Sequence, residues 1–295
     1  MILNSNRLHR LLDRAEGLMD RFERLLPAAD AGQPDTDAIA WRWRRSGSRG
    51  GGFVPVPRPA AVELEDLHGI EDQRATLERN TRQFVAGLPC NNALLWGARG
   101  TGKSSLVKAL LQRHADAGLR LIEVDAGDLV DLPDVVAPLA RRSERFIVFA
   151  DDLAFSGEDP AYRALKAVLE GSVAAAPDNV VIYATSNRRH LMPEFMSENR
   201  EARAVDGEIH PGETTEEKIS LAERFGIWLS FPPFGEADFL VMAEGWLQRI
   251  APEVPFDEEA RTAARRWARH RGSRSGRVAR QFALDWAGQR GLERD

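Results

Sequence analysis

The stretch WGARGTGKSS, residues 96–105, decides how the whole sequence is interpreted. Residues 97–104 match the pattern G-x-x-x-x-G-K-[ST] of a phosphate-binding loop. The short apolar run NALLW precedes the loop and is typical of a buried parallel strand, and the helical pattern KSSLVKALLQRHADAG follows it. In this context backbone N–H groups and a helix N-terminus favour a polyphosphate. The stretch therefore predicts a nucleoside triphosphate site on an α/β fold.

The residue types within the loop predict separate tasks. Glycines let the backbone curl closely around phosphates. Lys103 is expected to reach the β and γ phosphates, and the Ser104 hydroxyl is expected to ligate Mg²⁺. The predicted nucleotide contacts in the loop are Gly97, Ala98, Arg99, Gly100, Thr101, Gly102, Lys103, Ser104 and Ser105.

The rest of the chain from residue 62 alternates between strand and helix patterns. The apolar strands are NALLW, LRLIEVD, RFIVFADD, NVVIYATSN and IWLSF. Helical patterns separate them, which predicts a five-stranded parallel sheet covered by helices on both faces. Three further helices, without a strand, follow the breaker PPFGE. We expect an α/β nucleotide-binding domain over 62–234 and a small all-helical domain over 235–295.

The N-terminal part follows a different pattern. Apolar residues at helical spacing predict an amphipathic helix over 1–30, and residues 31–61 are interpreted as a linker or extended segment. Within that segment, WRWRR alternates Trp41 and Trp43 with Arg42 and Arg44. This run either binds a nucleic-acid strand or lies along a sheet or groove, and packing is the favoured interpretation.

Polar side chains follow two of the predicted strands. Asp151 and Asp152 close FIVFADD, at the strand end where ligands bind in open α/β sheets. Asp151 is the candidate metal-side acid, and Asp152 is the candidate base that orients the attacking water. Asn187 closes VVIYATSN, where its amide could contact both the γ-phosphate and the water. A helix cap or a solvated turn is the alternative explanation for such residues.

Composition limits the possible classes of protein. The formal net charge of −5 argues against general affinity for nucleic acid. The basic run RRWARHRGSRSGRVAR leaves a local site open, although the favoured interpretation is that it forms part of the helical domain's surface and part of a phosphate sensor. No apolar run approaches the roughly 20 residues that span a bilayer, so we expect a cytoplasmic protein without a membrane partner. Cys90 is the only cysteine, which excludes an intrachain disulfide.

The order of phosphate loop, acidic strand end, polar strand end and helical lid resembles the AAA+ ATPases over residues 62–290. Three sequence segments resemble more closely a bacterial AAA+ group known as domain of unknown function 815. They are LLWGARGTGKSSLVKALL, NVVIYATSNRRHLMPE and EEKISLAERFGIWLSFPPF. The resemblance implies ATP and Mg²⁺ as ligands. It implies Walker A at the loop, Walker B at Asp151 and Asp152, and the sensor 1 residue at Asn187.

The same resemblance assigns residues elsewhere in the chain. Arg224 in LAERFG corresponds to an arginine finger that enters a neighbouring subunit's site, with a surface salt bridge as the alternative. Arg277 in SGRVARQF corresponds to the sensor 2 arginine, although Arg274 and Arg280 are neighbours that could take its place. The segment DLHGIED resembles the one that lines the adenine, which implicates Leu67, Gly69 and Ile70.

The expected function is therefore ATP hydrolysis by a homo-oligomer that forms in the ATP-bound state. Such a machine would remodel or load a protein or nucleic-acid partner of unknown identity. Walker B motifs in this family usually end Asp-Glu, and Asp152 is one methylene shorter than that glutamate. A slowly hydrolysing, nucleotide-gated switch is accordingly the first alternative, and a P-loop kinase, which the separate three-helix unit disfavours, is the second.

Overall fold

The computed structural model describes residues 34, 37–45, 51–155, 159–170, 177–187, 203–205, 208–210, 221 and 223–292. The amphipathic helix predicted over residues 1–30 lies outside this set. Within it, the chain forms an α/β part built on one large sheet, followed by three helices.

The large sheet has seven strands in the order β2-β1-β4-β5-β6-β3-β9. The strands are β1 (Ala40–Arg45), β2 (Gly51–Pro55), β3 (Ala93–Gly97), β4 (Leu119–Val124), β5 (Arg145–Ala150), β6 (Val180–Ser186) and β9 (Ile227–Phe231). All neighbours in the sheet pair in parallel except β1 and β2, which pair antiparallel. Two short strands, β7 (Arg203–Val205) and β8 (Glu208–His210), form a separate antiparallel pair. The predicted five-stranded parallel sheet is confirmed as β4-β5-β6-β3-β9.

The remaining two strands lie within residues 31–61, the range interpreted from the sequence as a linker or extended segment. Trp41 and Trp43 stand two residues apart on one face of β1, and both are fully buried. The Trp43 indole N–H donates to Asp131 Oδ2 at 3.2 Å, and its ring meets Phe53 of β2 edge to face. The favoured packing interpretation of WRWRR is therefore right, because neither tryptophan is available to stack on a base. Burial of this face explains why the segment joins the sheet.

Helices cover both faces of the sheet, as predicted. They are α1 (Glu71–Val85), α2 (Lys103–His114), α3 (Leu132–Leu139) and α4 (Pro160–Glu170), with 3₁₀ turns at Leu64–Asp66, Ala115–Ala117 and Ala126–Asp131. Alternate residues of β5 enter different cores: Phe146 and Val148 pack on one face, and Ile147 and Phe149 on the other. A central strand that is apolar on both faces is the signature of a parallel sheet between two helical layers.

The last three helices have a core of their own. They are α5 (Glu236–Ile250), α6 (Glu258–Arg271) and α7 (Gly276–Leu292), and Phe239, Leu247 and Phe282 are among the side chains buried between them. We call this part the three-helix unit. None of the described helices is long and apolar enough to cross a membrane.

Candidate functional site

The phosphate-binding loop runs from the end of β3 to the start of α2 and depends on glycine for its shape. Gly97, Gly100 and Gly102 have positive φ angles of 135°, 74° and 95°. A Cβ atom on Gly97 would lie 2.1 Å from the carbonyl oxygen of Phe231, and one on Gly100 would lie 2.6 Å from the side chain of Ser275. The loop is therefore packed between β9 and the three-helix unit, where a side chain could not be accommodated.

Lys103 crosses the inside of the loop. Its ammonium group donates hydrogen bonds to the carbonyl oxygens of Gly97 at 2.9 Å and Ala98 at 2.7 Å, and to Asn187 Oδ1 at 3.1 Å. Only 6% of the residue is exposed. Burial lowers the pKa of Lys103 from its ordinary value, and the carboxylates at the end of β5 oppose that shift. The loop thus holds a cation beside the polar end of β6.

Asp151 and Ser104 lie side by side at the carboxyl ends of the strands. Asp151 Oδ1 accepts hydrogen bonds from Ser104 Oγ and from Thr185 Oγ1, each at 2.6 Å. A hydroxyl and a carboxylate oxygen at this spacing are the ligand types that Mg²⁺ takes from proteins. Thr185 belongs to the polar strand end noted in the sequence, but its contact with Asp151 emerges only when β5 and β6 pair in register.

Asp152 has an unusual backbone conformation. Its φ of 54° is the only positive value among the described residues that are not glycine. The Asp152 N–H donates to Thr185 Oγ1 at 2.8 Å, and Asn187 Nδ2 donates to Asp152 Oδ1. The Leu153 N–H donates to the Thr185 carbonyl oxygen at 2.7 Å. Neighbouring groups on β6 therefore hold the chain in this conformation.

A cleft of about 550 Å³ connects these groups. The predicted nucleotide and catalytic residues that line it are Leu67, Ile70, Arg99, Gly100, Thr101, Gly102, Lys103, Ser104, Ser105, Asp151, Asp152, Asn187 and Arg277. Gly97 and Ala98 belong to the loop but do not line the cleft, and their carbonyl oxygens accept hydrogen bonds from Lys103. Gly69 is not a lining residue: its φ of 74° turns the chain, and a Cβ atom there would lie 3.0 Å from Phe234.

Another part of the cleft lining is mainly apolar and is largely supplied by residues that the sequence did not single out. His68, Phe234, Met242 and Trp246 join Leu67 and Ile70 there, next to Arg280. The Arg280 guanidinium lies 5.5 Å from the centroid of the Trp246 ring. Met242 and Trp246 belong to α5, and they line the cleft because the three-helix unit docks beside the loop.

Arg224 lies outside the cleft of its own chain. It is not a lining residue, and its guanidinium binds Glu170 at the end of α4, with a distance of 2.6 Å from Nε to Oε1. Within one chain, Arg224 therefore forms the salt bridge that was the alternative to an arginine finger. Arg224 lies just before β9, the position from which the family resemblance assigns it to a neighbouring subunit's site.

The donor set fits a nucleotide bound with Mg²⁺. The cleft volume lies within the range of small-molecule sites. Among the described residues there is no group of three or more His, Cys, Asp or Glu side chains that could cage a metal ion. Mg²⁺ characteristically takes only one or two protein ligands and completes its shell with phosphate oxygens and waters, so Ser104 and Asp151 suffice.

Comparison with known proteins places this site in a known fold. A RuvB variant from Thermotoga maritima superposes with a TM-score of 0.52 at 16% identity, over 76% of this chain and 63% of that one. Orc1 from Aeropyrum pernix gives 0.51 at 18% identity, over 78% of this chain and 62% of that one. The chain thus spans less than two thirds of these relatives, and they show the fold alone.

That fold is the AAA+ P-loop fold. No protein of curated function matches the sequence. The profile of one family, described as "Protein of unknown function (DUF815)", matches residues 36–290, which is most of the chain. The chain is therefore a member of the DUF815 family.

Proposed function

We propose that this protein binds ATP with Mg²⁺ in the described cleft and hydrolyses it in order to remodel or load a macromolecular partner. One observation carries the proposal: a single cleft unites the Lys103 ammonium, the Ser104–Asp151 pair and the Asp152–Asn187 pair. Binding and cleaving a phosphoanhydride requires these groups: a cation for the phosphates, oxygen ligands for Mg²⁺, and a carboxylate beside a polar amide.

Each side chain has one task in this proposal. Lys103 neutralises the β and γ phosphates, and Ser104 and Asp151 hold the cation. Bound Mg²⁺ would neutralise negative charge on the phosphates. Asp152 orients the attacking water and accepts its proton, and Asn187, bonded to both Lys103 and Asp152, sets the distance between these two groups.

The three-helix unit acts as a lid in this proposal. Its contact with the loop is direct, because the Gly276 N–H donates to the Gly100 carbonyl oxygen at 3.0 Å. Arg277 and Arg280 line the cleft from α7 and add their positive charge to that of Lys103. Nucleotide bound there would contact both parts of the protein, so its phosphate state would change how they dock.

Slow turnover is a second version of this function, and the conformation of Asp152 favours it. The carboxylate is one methylene shorter than the usual glutamate and is bonded to Asn187 in the described conformation. A misplacement of about 1 Å can cost on the order of 10²-fold in rate. In this version the protein binds ATP tightly, changes its affinity for a partner and hydrolyses rarely.

Oligomerisation and the partner belong to the proposal as well. Arg224 is assigned to the site of a neighbouring subunit, because its own cleft does not include it. The structure of Orc1 is of a complex with DNA, which supports nucleic acid as one candidate class of partner beside a protein client.

Steady-state ATP hydrolysis across a protein concentration series tests the proposal. We expect turnover per subunit to rise with concentration, since an arginine supplied in trans is worth roughly 10³- to 10⁵-fold. Lys103→Ala is the control, and it should lose ATP binding and turnover together. Binding without turnover in the parent protein would select the switch version, whereas normal ATP binding by Lys103→Ala would refute the site.

A further inference from the structure

A second cleft, of about 450 Å³, lies on the other side of the phosphate-binding loop. Ala98, Arg99 and Thr101 of the loop form one wall, and the turn between α6 and α7 forms the facing wall. Arg99 and Thr101 line both clefts, so this part of the loop is the partition between them. A ligand in the second cleft would therefore contact the loop without entering the nucleotide site.

The second cleft carries concentrated positive charge. Arg99, Arg269 and Arg274 line it, and all three are exposed. Within the part of the chain that the structure describes, no ion pair involves Arg99 or Arg269, and Arg274 approaches Glu236 only at 4.0 Å. Three guanidinium groups facing one cavity repel one another unless an anion lies between them, and their planar forks match phosphate oxygens.

The charge continues along the outer face of α6. Arg266, Arg269 and His270 are exposed and share one face, because Arg269 and His270 lie three and four residues after Arg266 on the helix. We call these three side chains, with Arg274, the arginine ridge. Arginines on the inner side of α6 are neutralised instead, since Arg261 binds Glu244 at 3.1 Å and Arg265 binds Glu236 at 2.9 Å.

The surrounding sequence strengthens this contrast. From residue 261 to residue 284 the chain contains no acidic residue, although its formal net charge is −5. The arginines of this run are Arg261, Arg265, Arg266, Arg269, Arg271, Arg274, Arg277 and Arg280. A ligand with a single anionic group would occupy the cleft alone, whereas a polymer with repeated phosphates would use the cleft and the ridge together.

We propose that the second cleft and the arginine ridge bind the phosphate backbone of a nucleic acid. The hydroxyl group of the exposed Ser273 supplies a neutral donor beside the arginines, a combination common at backbone contacts. The described surface offers charge and donors but no aromatic side chain lining the cleft apart from Phe234. Binding would therefore depend on phosphate charge and hardly on base sequence.

Nucleic acid bound at the second cleft and the ridge would also contact the phosphate-binding loop through Arg99. A backbone phosphate held by Arg99 would hold the loop that Lys103 and Ser104 continue, so the two ligands would alter each other's affinity reciprocally. This coupling rests on the proposed ATP site, whereas nucleic-acid binding itself does not.

Fluorescence anisotropy with a labelled DNA oligonucleotide, single-stranded and as a duplex, tests the ridge on the full chain. Arg266→Ala/Arg269→Ala removes two ridge arginines. Arg79→Ala/Arg82→Ala is the matched control, because these exposed arginines have the same spacing on α1 and the same total charge is lost. We expect the ridge variant to weaken binding on the order of 10-fold and to lower the slope of log affinity against log salt by about 2, with the control unchanged.

Other outcomes overturn the proposal. Equal loss in the two double variants, or no binding by the parent protein at about 50 mM salt, would show that the ridge is not a nucleic-acid site. Displacement of the labelled DNA by polyglutamate as readily as by unlabelled DNA would assign the ridge to an acidic protein instead.

A last experiment, on Lys103→Ala, distinguishes this proposal from the proposed ATPase activity. Lys103→Ala should keep its affinity for DNA, because Lys103 does not line the second cleft. Loss of ATP binding in Lys103→Ala with DNA binding intact supports both proposals, and loss of DNA binding in a folded Lys103→Ala protein overturns the separation of the two clefts.

Discussion

At the scale of the residue, Asp152 shows how the site is held in shape. A left-handed backbone costs an L-residue about 1–2 kcal/mol, and aspartate tolerates it better than most. Here Thr185 accepts the Asp152 N–H and Asn187 donates to its carboxylate. The conformation turns the chain sharply at the end of β5, so that Asp151 faces Ser104 while Asp152 faces Asn187.

Asp152→Asn tests the assigned role of this carboxylate. Asparagine also tolerates the left-handed region and keeps the size of the side chain, but it cannot accept a proton from water. We expect ATP affinity to change less than about threefold and turnover to fall on the order of 10² or more. The measurements are ATP binding by calorimetry and single-turnover hydrolysis. A variant that hydrolyses ATP at the parent rate would exclude Asp152 as the base.

At the scale of the element, the sequence predicts the loops and strands whose structure depends on local residue patterns. The glycine pattern of the loop and the apolar runs that end in Asp151 and Asn187 identify their strands without knowledge of their neighbours. Strand β2, with the sequence GGFVP, is recognisable only through its partner, because glycine and proline normally indicate a loop. Its pairing with β1 and the burial of Trp43 against Asp131 are long-range contacts that no local pattern contains.

The same distinction applies to the site. The phosphate end of the cleft comes from one loop and two strand ends, and sequence motifs predicted it. The apolar end depends on where the three-helix unit docks, and Met242 and Trp246 come from a helix far along the chain. Arg277 and Arg280 both reach the cleft because they are three residues apart on α7, so spacing alone could not select one of them.

Strand β1 supplies a prediction about stability. Trp43→Ala removes a fully buried ring and leaves the Asp131 carboxylate without its indole donor. We expect the free energy of unfolding to fall by about 3–5 kcal/mol, measured by urea denaturation. Val54→Ala on β2 is the control, and its half-exposed side chain should cost less than about 1 kcal/mol.

The cleft should be unaffected in the folded fraction of Trp43→Ala, since Trp43 does not line it and β4 separates β1 from β5, the nearest strand whose end contributes to the cleft. Unchanged stability would mean that the β1–β2 pair is an accessory to the fold. A large loss of ATP affinity in the folded protein would mean that the two sheet edges are coupled.

At the scale of the whole molecule, the cleft and Arg224 are separate features of one chain. The loop, the strand ends and α7 surround the cleft, whereas Arg224 binds Glu170 outside it. If Arg224 completes a site, that site belongs to a second copy, and Glu170 is the group that holds the guanidinium until the copies meet. A single chain would then contribute to two active sites, with its cleft in one and Arg224 in the other.

This arrangement predicts complementation between two inactive variants. Lys103→Ala lacks a working cleft but retains Arg224, and Arg224→Ala retains the cleft but lacks the finger. Arg224→Ala alone should bind ATP normally and turn over slowly. In a mixed oligomer, the intact cleft of one variant faces the arginine of the other, so steady-state hydrolysis by the mixture should exceed the sum of the two separate rates severalfold, even if only some interfaces pair correctly. The double variant, mixed with the parent protein, is the control and should not add activity of its own. A mixture no faster than that sum, from proteins that still associate, would mean that Arg224 acts only through its salt bridge with Glu170.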